Sequence, residues 1–188
     1  MKYEKKRELT RNKIVNAFIE VSRKKGVEGV TVSDIIKKAQ INRSTFYRHY
    51  TDKIDLEEQI EDQIIGEIKA ANSDLKETDN KDIDSAAKKF IYRFLTVIEN
   101  NQPVLEVMIS ENGDIRFPIK MLKFFSEMVV STTNVFAHDM SSKDKKLFSA
   151  FNASTALGII VFWIHHFDEY DKDYVYNFND KRILKNTL

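Results

Sequence analysis

Glycine and proline are scarce in this sequence, which holds only 5 Gly and 2 Pro among its 188 residues. Tight turns depend heavily on these two residues, and sheet-rich folds need many turns. The scarcity therefore favours long helices joined by few connections. Hydrophobic residues make up 42% of the chain, enough for a sizeable core. Because cysteine is absent, disulfides, thiolate nucleophiles and thiolate metal sites are excluded.

The apolar residues recur with the period of an α-helix. The first stripe consists of Ile14, Ala17, Phe18 and Val21. It predicts a helix from Glu8 to Lys25, and a similar stripe predicts a long helix from Lys53 to Leu75. The polar stretch at 76–84 predicts a loop. With the later stripes, the pattern predicts an all-α fold of about nine helices and no strand.

Charge is distributed unevenly along the chain. Residues 1–53 hold 14 Lys/Arg against 6 Asp/Glu, a formal charge of +8, whereas the remainder carries −7. A basic head on an acidic body indicates an anionic partner for the head, with nucleic acid the first candidate and an anionic membrane surface the second. We therefore predict an anion-binding head at 1–53 carried by a separate body at 54–188.

Within the head, two short helices with a tight turn between them form a predicted helix-turn-helix. Thr31 and Asp34 have the spacing of a capping box for the first, and Asn42 can cap the second. On the second helix Phe46 and Tyr50 share the inward face. The outward side chains carry hydroxyl, guanidinium, imidazole and phenol groups but no carboxylate, which suits phosphate oxygens and base edges; they are Arg43, Ser44, Thr45, Tyr47, Arg48 and His49.

The run Thr45-Phe46-Tyr47-Arg48-His49-Tyr50, followed by Lys53 and Leu56, resembles the DNA-binding signature of the TetR family of bacterial transcriptional repressors. The resemblance implies a DNA-binding domain at 1–53 and a helical dimerisation and effector-binding domain at 54–188. It also implies a homodimer, a palindromic operator on double-stranded DNA, and repression relieved by a small-molecule effector bound in the body. It also implies residue roles at the matching positions. Base edges would be contacted by Arg43 and Ser44, and phosphates by Thr45, Tyr47 and Lys53, with Ser33 and His49 as further DNA contacts.

One position departs from the family pattern. Gln40 lies in the turn, where the family often has Gly. If this residue is left-handed, its side chain costs ~1–2 kcal/mol. In the body, the segment from Ile109 to Phe117 resembles a C-terminal region found in one TetR subgroup.

A subunit interface is predicted on the helix from Asp144 to Phe167, whose C-terminal half is apolar on every side and must be covered. The next helix, predicted from Asp171 to Asn186, would complete a four-helix contact. It would contribute Tyr174, Val175, Phe178, Ile183 and Leu184.

No catalytic motif occurs, so we expect a regulator and not an enzyme, without cofactor or metal, and we name no effector-binding residue. The longest apolar run is 156–164, whereas a membrane span needs ~20 residues. We therefore expect a cytoplasmic protein with no membrane partner. Two alternatives stay open at this point, a TetR-like co-regulator controlled by a protein partner, and a helical enzyme or metal-binding protein with a basic arm.

Overall fold

Helices account for all regular secondary structure in the computed structural model, which describes residues 2–72, 83–136 and 140–182. The predicted all-α fold with about nine helices is confirmed within these ranges. The helices are α1 (Lys2–Lys25), α2 (Val32–Ala39), α3 (Arg43–Tyr47), α4 (Lys53–Ala71), α5 (Ile83–Asn100), α6 (Gln102–Met108), α7 (Arg116–Phe136), α8 (Ser142–His165) and α9 (Lys172–Arg182).

Some predicted boundaries differ from the observed ones. The first helix begins at Lys2 and not at Glu8, because charged residues with high helix propensity extend it without an apolar stripe. The predicted loop at 76–84 overlaps α5 at its last two residues, and the rest of it lies outside the described residues. Ile183 and Leu184 also lie outside them.

The chain divides into two compact units, of which the first comprises residues up to 63 together with 103–115. Its core is made by side chains that are at most 2% exposed, namely Ile14, Phe18, Ile35, Phe46, Tyr50 and Leu56. The predicted boundary at residue 53 does not coincide with this division, because the first half of α4 and the segment 103–115 belong to the first unit. The functional assignment of 1–53 and 54–188 stays a prediction.

The segment 103–115 is held against the end of α1 by specific contacts. The Arg23 guanidinium pairs with the Glu106 carboxylate at 2.7 Å, and the Val27 N–H donates to the Asn112 carbonyl at 2.9 Å. Gly26 ends α1 with φ +72°, as its position in the sequence predicts. A Cβ at Gly26 would lie 3.0 Å from the Asn112 Cβ, so this close approach also favours glycine.

The second unit comprises residues 64–102 and 116–188, of which the described part holds the end of α4 and the helices α5, α7, α8 and α9. The Phe94 and Phe125 rings meet edge to face in its core, with centroids 5.6 Å apart. The buried Trp163 donates its indole N–H to the Tyr170 carbonyl at 2.7 Å, which fixes the chain between α8 and α9.

Candidate nucleic-acid interface

The start of α2 is fixed by a capping box, as predicted. The Thr31 hydroxyl accepts from the Asp34 N–H at 3.2 Å, and the Asp34 carboxylate accepts from the Thr31 N–H at 3.1 Å. Asp34 also pairs with the Lys25 ammonium at 2.7 Å. The Lys25 ammonium and the hydrogen bonds from Thr31 lower the pKa of the Asp34 carboxyl to about 2. These contacts tie the start of α2 to the end of α1.

The turn between α2 and α3 passes through Gln40 in the left-handed conformation, with φ 54° and ψ 46°. The Gln40 N–H donates to the Lys37 carbonyl and the Ile41 N–H to the Ile36 carbonyl, which is a Schellman ending for α2. Asn42 then caps α3, accepting from the Thr45 N–H at 2.7 Å. The Schellman ending of α2 and the Asn42 cap of α3 lie within three residues of each other. Together they set the direction of α3.

One face of α3 is buried and the other is open to solvent. Phe46 is 0% exposed and Tyr50 2%, which confirms their predicted inward position. The outward set has no acidic member, and no Asp or Glu occurs between Asp34 and Asp52. Its exposed members are Arg43, Ser44, Tyr47 and Arg48, whereas Thr45 and His49 are half-buried. The result is a surface of hydrogen-bond donors with positive charge.

The polar side chains of this face bond to one another. The Ser44 hydroxyl donates to the Asn42 carboxamide oxygen at 2.9 Å, and the Arg48 guanidinium donates to the Thr45 hydroxyl at 3.1 Å. Arg43 donates to the Tyr47 hydroxyl at 3.3 Å and lies over its ring, 5.4 Å from the centroid. These contacts restrict the rotamers of the long side chains before any ligand binds, which lowers the entropic cost of recognition.

His49 lies in a strongly basic environment. Burial lowers the pKa of its imidazole, and the positive charges of Arg7, Arg48 and Arg11 lower it further. The ring is therefore mainly neutral at pH 7, and three guanidinium groups are near enough to act on it. Such a concentration of positive charge attracts phosphate.

The Lys53 ammonium is bonded within the first unit. Its ammonium donates to the Val27 carbonyl at 2.9 Å and the Glu28 carbonyl at 3.3 Å, and it lies 3.4 Å from the buried Glu57 carboxylate. The loop before α2 offers these two carbonyl acceptors within reach, and the contact of Lys53 with phosphate stays a prediction. In the structure Lys53 joins the start of α4 to that loop.

Six of the seven predicted DNA-contacting residues lie on α2, α3 or the turn that follows α3, and Lys53 opens α4. Ser33 is exposed on α2. The predicted set omitted Arg48, Arg7 and Arg11, all part of the first unit. The i, i+4 spacing of Arg7 and Arg11 was visible in the sequence, but the helix that carries Arg7 was predicted to begin one residue after it.

Two family models match the chain. The model for bacterial regulatory proteins of the tetR family matches residues 14–60, and the model for a transcriptional regulator C-terminal region matches residues 85–178, half of the chain. The chain belongs to the tetR family of bacterial regulatory proteins. The resemblance to a family C-terminal region is likewise confirmed, since the second match includes the segment from Ile109 to Phe117.

Known relatives agree with this membership. The HTH-type transcriptional regulator YxbF of Bacillus subtilis is 24% identical over 156 residues, which are 81% of this chain. The chain spans about two fifths of the length of that relative, of which 39% is covered.

Solved structures of transcriptional regulators share the fold. A TetR transcriptional regulator from Streptococcus agalactiae superposes with a TM-score of 0.60 at 20% identity, covering 95% of both chains. FadR from Bacillus subtilis, solved in complex with stearoyl-CoA, gives 0.61 at 17% identity and covers 88% of this chain and 92% of its own. The all-α fold of the described residues is therefore one that other regulators share.

Proposed function

We propose that this chain is a sequence-specific DNA-binding transcriptional regulator that acts as a homodimer on a palindromic operator. The observation that carries the proposal is the exposed face of α3, which presents Arg43, Ser44, Tyr47 and Arg48 without an acidic residue. Recognition helices of helix-turn-helix proteins read the major groove with such side chains. In this proposal Arg43 and Ser44 contact base edges, and Thr45 and Tyr47 contact phosphates.

The basic cluster at the end of α3 extends the proposed contact to the DNA backbone. Arg48 and the two arginines of α1, Arg7 and Arg11, are close enough to His49 to lower its pKa. Arginine contacts to phosphate fix register and orientation without reading sequence. We assign Ser33 and His49 to the same contacts with the DNA backbone. Lys53 positions the start of α4.

Dimerisation is supported by an exposed apolar face on α8 and α9. Large apolar side chains are more than half exposed there, namely Leu147 at 74%, Phe151 at 70%, Phe162 at 51%, Tyr174 at 60% and Phe178 at 51%. Contiguous apolar patches on a soluble protein mark interaction sites. A second copy of the chain would cover this face, and a two-fold dimer would present two copies of α3 to a palindrome.

Helix α8 has the length and composition of a membrane-spanning helix. In its most apolar window α8 reaches a mean hydropathy of 1.8, and only 28% of that window is buried in one chain. The polar residues Asn152, Ser154 and Thr155 interrupt its apolar sequence, which is why the longest run is short. We attribute its exposed apolar surface to the subunit interface of a cytoplasmic protein.

Repression released by a small molecule is the mode of action that we propose. FadR, which shares this fold, was solved with stearoyl-CoA bound. A ligand that prefers one of two conformations shifts the population by its difference in affinity. Reporter expression from the chain's own promoter, with and without the chain, determines whether it represses.

Arg43→Ala tests the recognition role within this proposal. Duplexes selected from a random pool by the wild type should be palindromic, and log affinity should fall steeply with log salt concentration. Arg43→Ala should relax the preference at one symmetric pair of positions, at a cost of ~1–3 kcal/mol per contact.

The matched control is Arg93→Ala, an exposed arginine of α5 in the second unit, which should leave both affinity and preference unchanged. If Arg43→Ala weakens binding to every sequence equally, Arg43 contacts phosphate and the reading role belongs to Ser44 or His49. Wild-type binding that shows neither sequence preference nor salt dependence would exclude the proposed function.

A further inference from the structure

The second unit contains a cavity of about 200 Å³ bordered by α5, α7, α8 and α9. Its described walls carry no charged side chain. They are mainly aromatic and aliphatic, including Phe90, Phe94, Phe125, Ala153, Ala156 and Ile160. A charged ligand placed there would lose its hydration without gaining an ionic partner from these walls, which is strongly unfavourable.

Three polar side chains interrupt the apolar lining. Asn152 and Asn179 each donate a carboxamide N–H to a backbone carbonyl four residues earlier, Phe148 and Val175, at 2.8 Å. Thr155 does the same through its hydroxyl, at 3.0 Å from the Phe151 carbonyl. These bonds hold each side chain along its own helix, and each carboxamide still offers its Oδ1 and second N–H.

Asn179 is only 6% exposed, although it faces an apolar wall. Burying a carboxamide is unfavourable unless its polar atoms are bonded, and leucine would fill the same space without that cost. A paired amide or hydroxyl on a ligand would satisfy the remaining groups of Asn179 and Asn152. The combination points to a ligand with an apolar body and a neutral polar group.

We infer that this cavity binds an uncharged, mainly apolar molecule that carries one hydrogen-bonding group such as an amide. The volume admits on the order of ten non-hydrogen atoms, since a water molecule takes about 30 Å³ in the liquid. The inference deepens the proposed function, on which it rests for the role of the bound molecule as effector.

Three compounds with the same eight-carbon chain test the ligand class, namely octanamide, octanoate and octylamine. The measurement is isothermal titration calorimetry on the full chain in the absence of DNA. Octanamide should bind with one site per chain, whereas octanoate and octylamine should bind at least about tenfold more weakly because each brings an unpaired charge. Equal binding of the three compounds, or no binding of octanamide, would overturn the inference.

Two variants locate the bound molecule. Ala156→Leu fills the cavity and should abolish octanamide binding, whereas Ala70→Leu, at an exposed alanine of α4, should not affect it. Asn179→Leu should weaken octanamide about fivefold through the lost hydrogen bond, and Asn177→Leu, exposed on the same helix, should not. Circular dichroism confirms that each variant is folded. Unchanged octanamide binding by a folded Ala156→Leu variant would place the site elsewhere and overturn the inference.

Failure of the inference and failure of the proposed function give different results. If octanamide binds as described but the chain has no affinity for DNA, the cavity assignment stands and the proposed function fails. If the chain binds its operator but octanamide does not bind, the cavity assignment fails and the DNA-binding function stands. The calorimetric measurement therefore tests ligand binding in the cavity independently of DNA binding.

Discussion

At the scale of single residues, Gln40 determines how α2 leads into α3. It is the one described non-glycine residue with positive φ, and its left-handed backbone lets two N–H groups reach the last carbonyls of α2. A side chain with a Cβ is strained in this region, by ~1–2 kcal/mol. The fold tolerates this strain because the turn allows two stabilising features to form. These are the Schellman hydrogen bonds that end α2 and the Asn42 cap that begins α3.

Gln40→Gly should therefore stabilise the first unit by about 1 kcal/mol, because relief of strain exceeds the greater freedom of glycine in the unfolded chain. Amide hydrogen exchange at Ile35, which is fully buried on α2, measures the change. The control is Gln40→Ala, which keeps the Cβ and should give no gain. Equal protection in the two variants would show that the left-handed turn stores no strain.

We expect His49 to link proton uptake to DNA binding. In the free chain burial and neighbouring arginines lower the pKa of its imidazole below 6.5, so the ring is mainly neutral at pH 7. Phosphate beside the ring would raise that pKa, because a nearby anion favours the charged form. Affinity for DNA should therefore rise as the pH falls from 8 to 6.

His49→Gln should remove this pH dependence while binding at pH 8 changes little. Fluorescence anisotropy at constant salt concentration measures both effects, and His165→Gln, exposed at the end of α8, is the matched control. A wild-type affinity that does not vary between pH 8 and 6 would show that His49 does not approach phosphate.

At the scale of helices, the start of α4 is joined to the loop before α2 by Lys53. Its two bonds to the carbonyls of Val27 and Glu28 cross 26 and 25 residues of sequence. The contact with the Glu57 carboxylate, of which the side chain is 3% exposed, adds an ionic link inside α4. We therefore assign Lys53 a positioning role for the helices that present α3.

Lys53→Ala should lower the stability of the first unit by about 1–3 kcal/mol, since the Val27 and Glu28 carbonyls and the buried Glu57 carboxylate all lose the ammonium. Affinity for all duplexes should fall while the slope of log affinity against log salt stays the same. Arg48→Ala should do the opposite, reducing the slope by about one unit per lost phosphate contact with little effect on stability. A reduced slope with unchanged stability in Lys53→Ala would return Lys53 to the phosphate contacts that the sequence predicts.

Local signals in the sequence predict the helices of the head well, because capping side chains act within three or four residues. Thr31, Asn42 and Gly26 mark the helix ends that the structure shows. The second helix of the motif was predicted to include Tyr50 but ends at Tyr47, and the chain continues as a turn in which the His49 and Tyr50 N–H groups both donate to the Phe46 carbonyl.

Tertiary contacts could not be predicted in the same way. The pairing of Arg23 with Glu106 joins residues 83 positions apart. The helical periodicity of the sequence contains no information about which distant residues meet. For the same reason the sequence did not place 103–115 in the first unit or direct Lys53 to loop carbonyls. The exposed residues of α3 were predictable because helical periodicity alone separates them from Phe46.

At the scale of the whole molecule, recognition of a palindrome requires two chains. One α3 reaches only a few base pairs, whereas two copies on a two-fold axis read a palindrome with twice the contacts. Gly158 lies on the exposed part of α8, and a Cβ added there meets nothing within 4 Å in the single chain. A large residue at this position is thus compatible with one folded chain but would obstruct a facing helix.

Sedimentation velocity with a palindromic duplex measures how many chains bind one operator. The wild type should sediment at twice 22.0 kDa when free and bind as two chains per duplex. Gly158→Arg should be a folded 22.0 kDa monomer without specific binding, whereas Gly66→Arg, at a helical glycine with equally open surroundings, should behave as the wild type. A wild-type monomer that binds a complete palindrome as a single chain would show that recognition does not need the dimer.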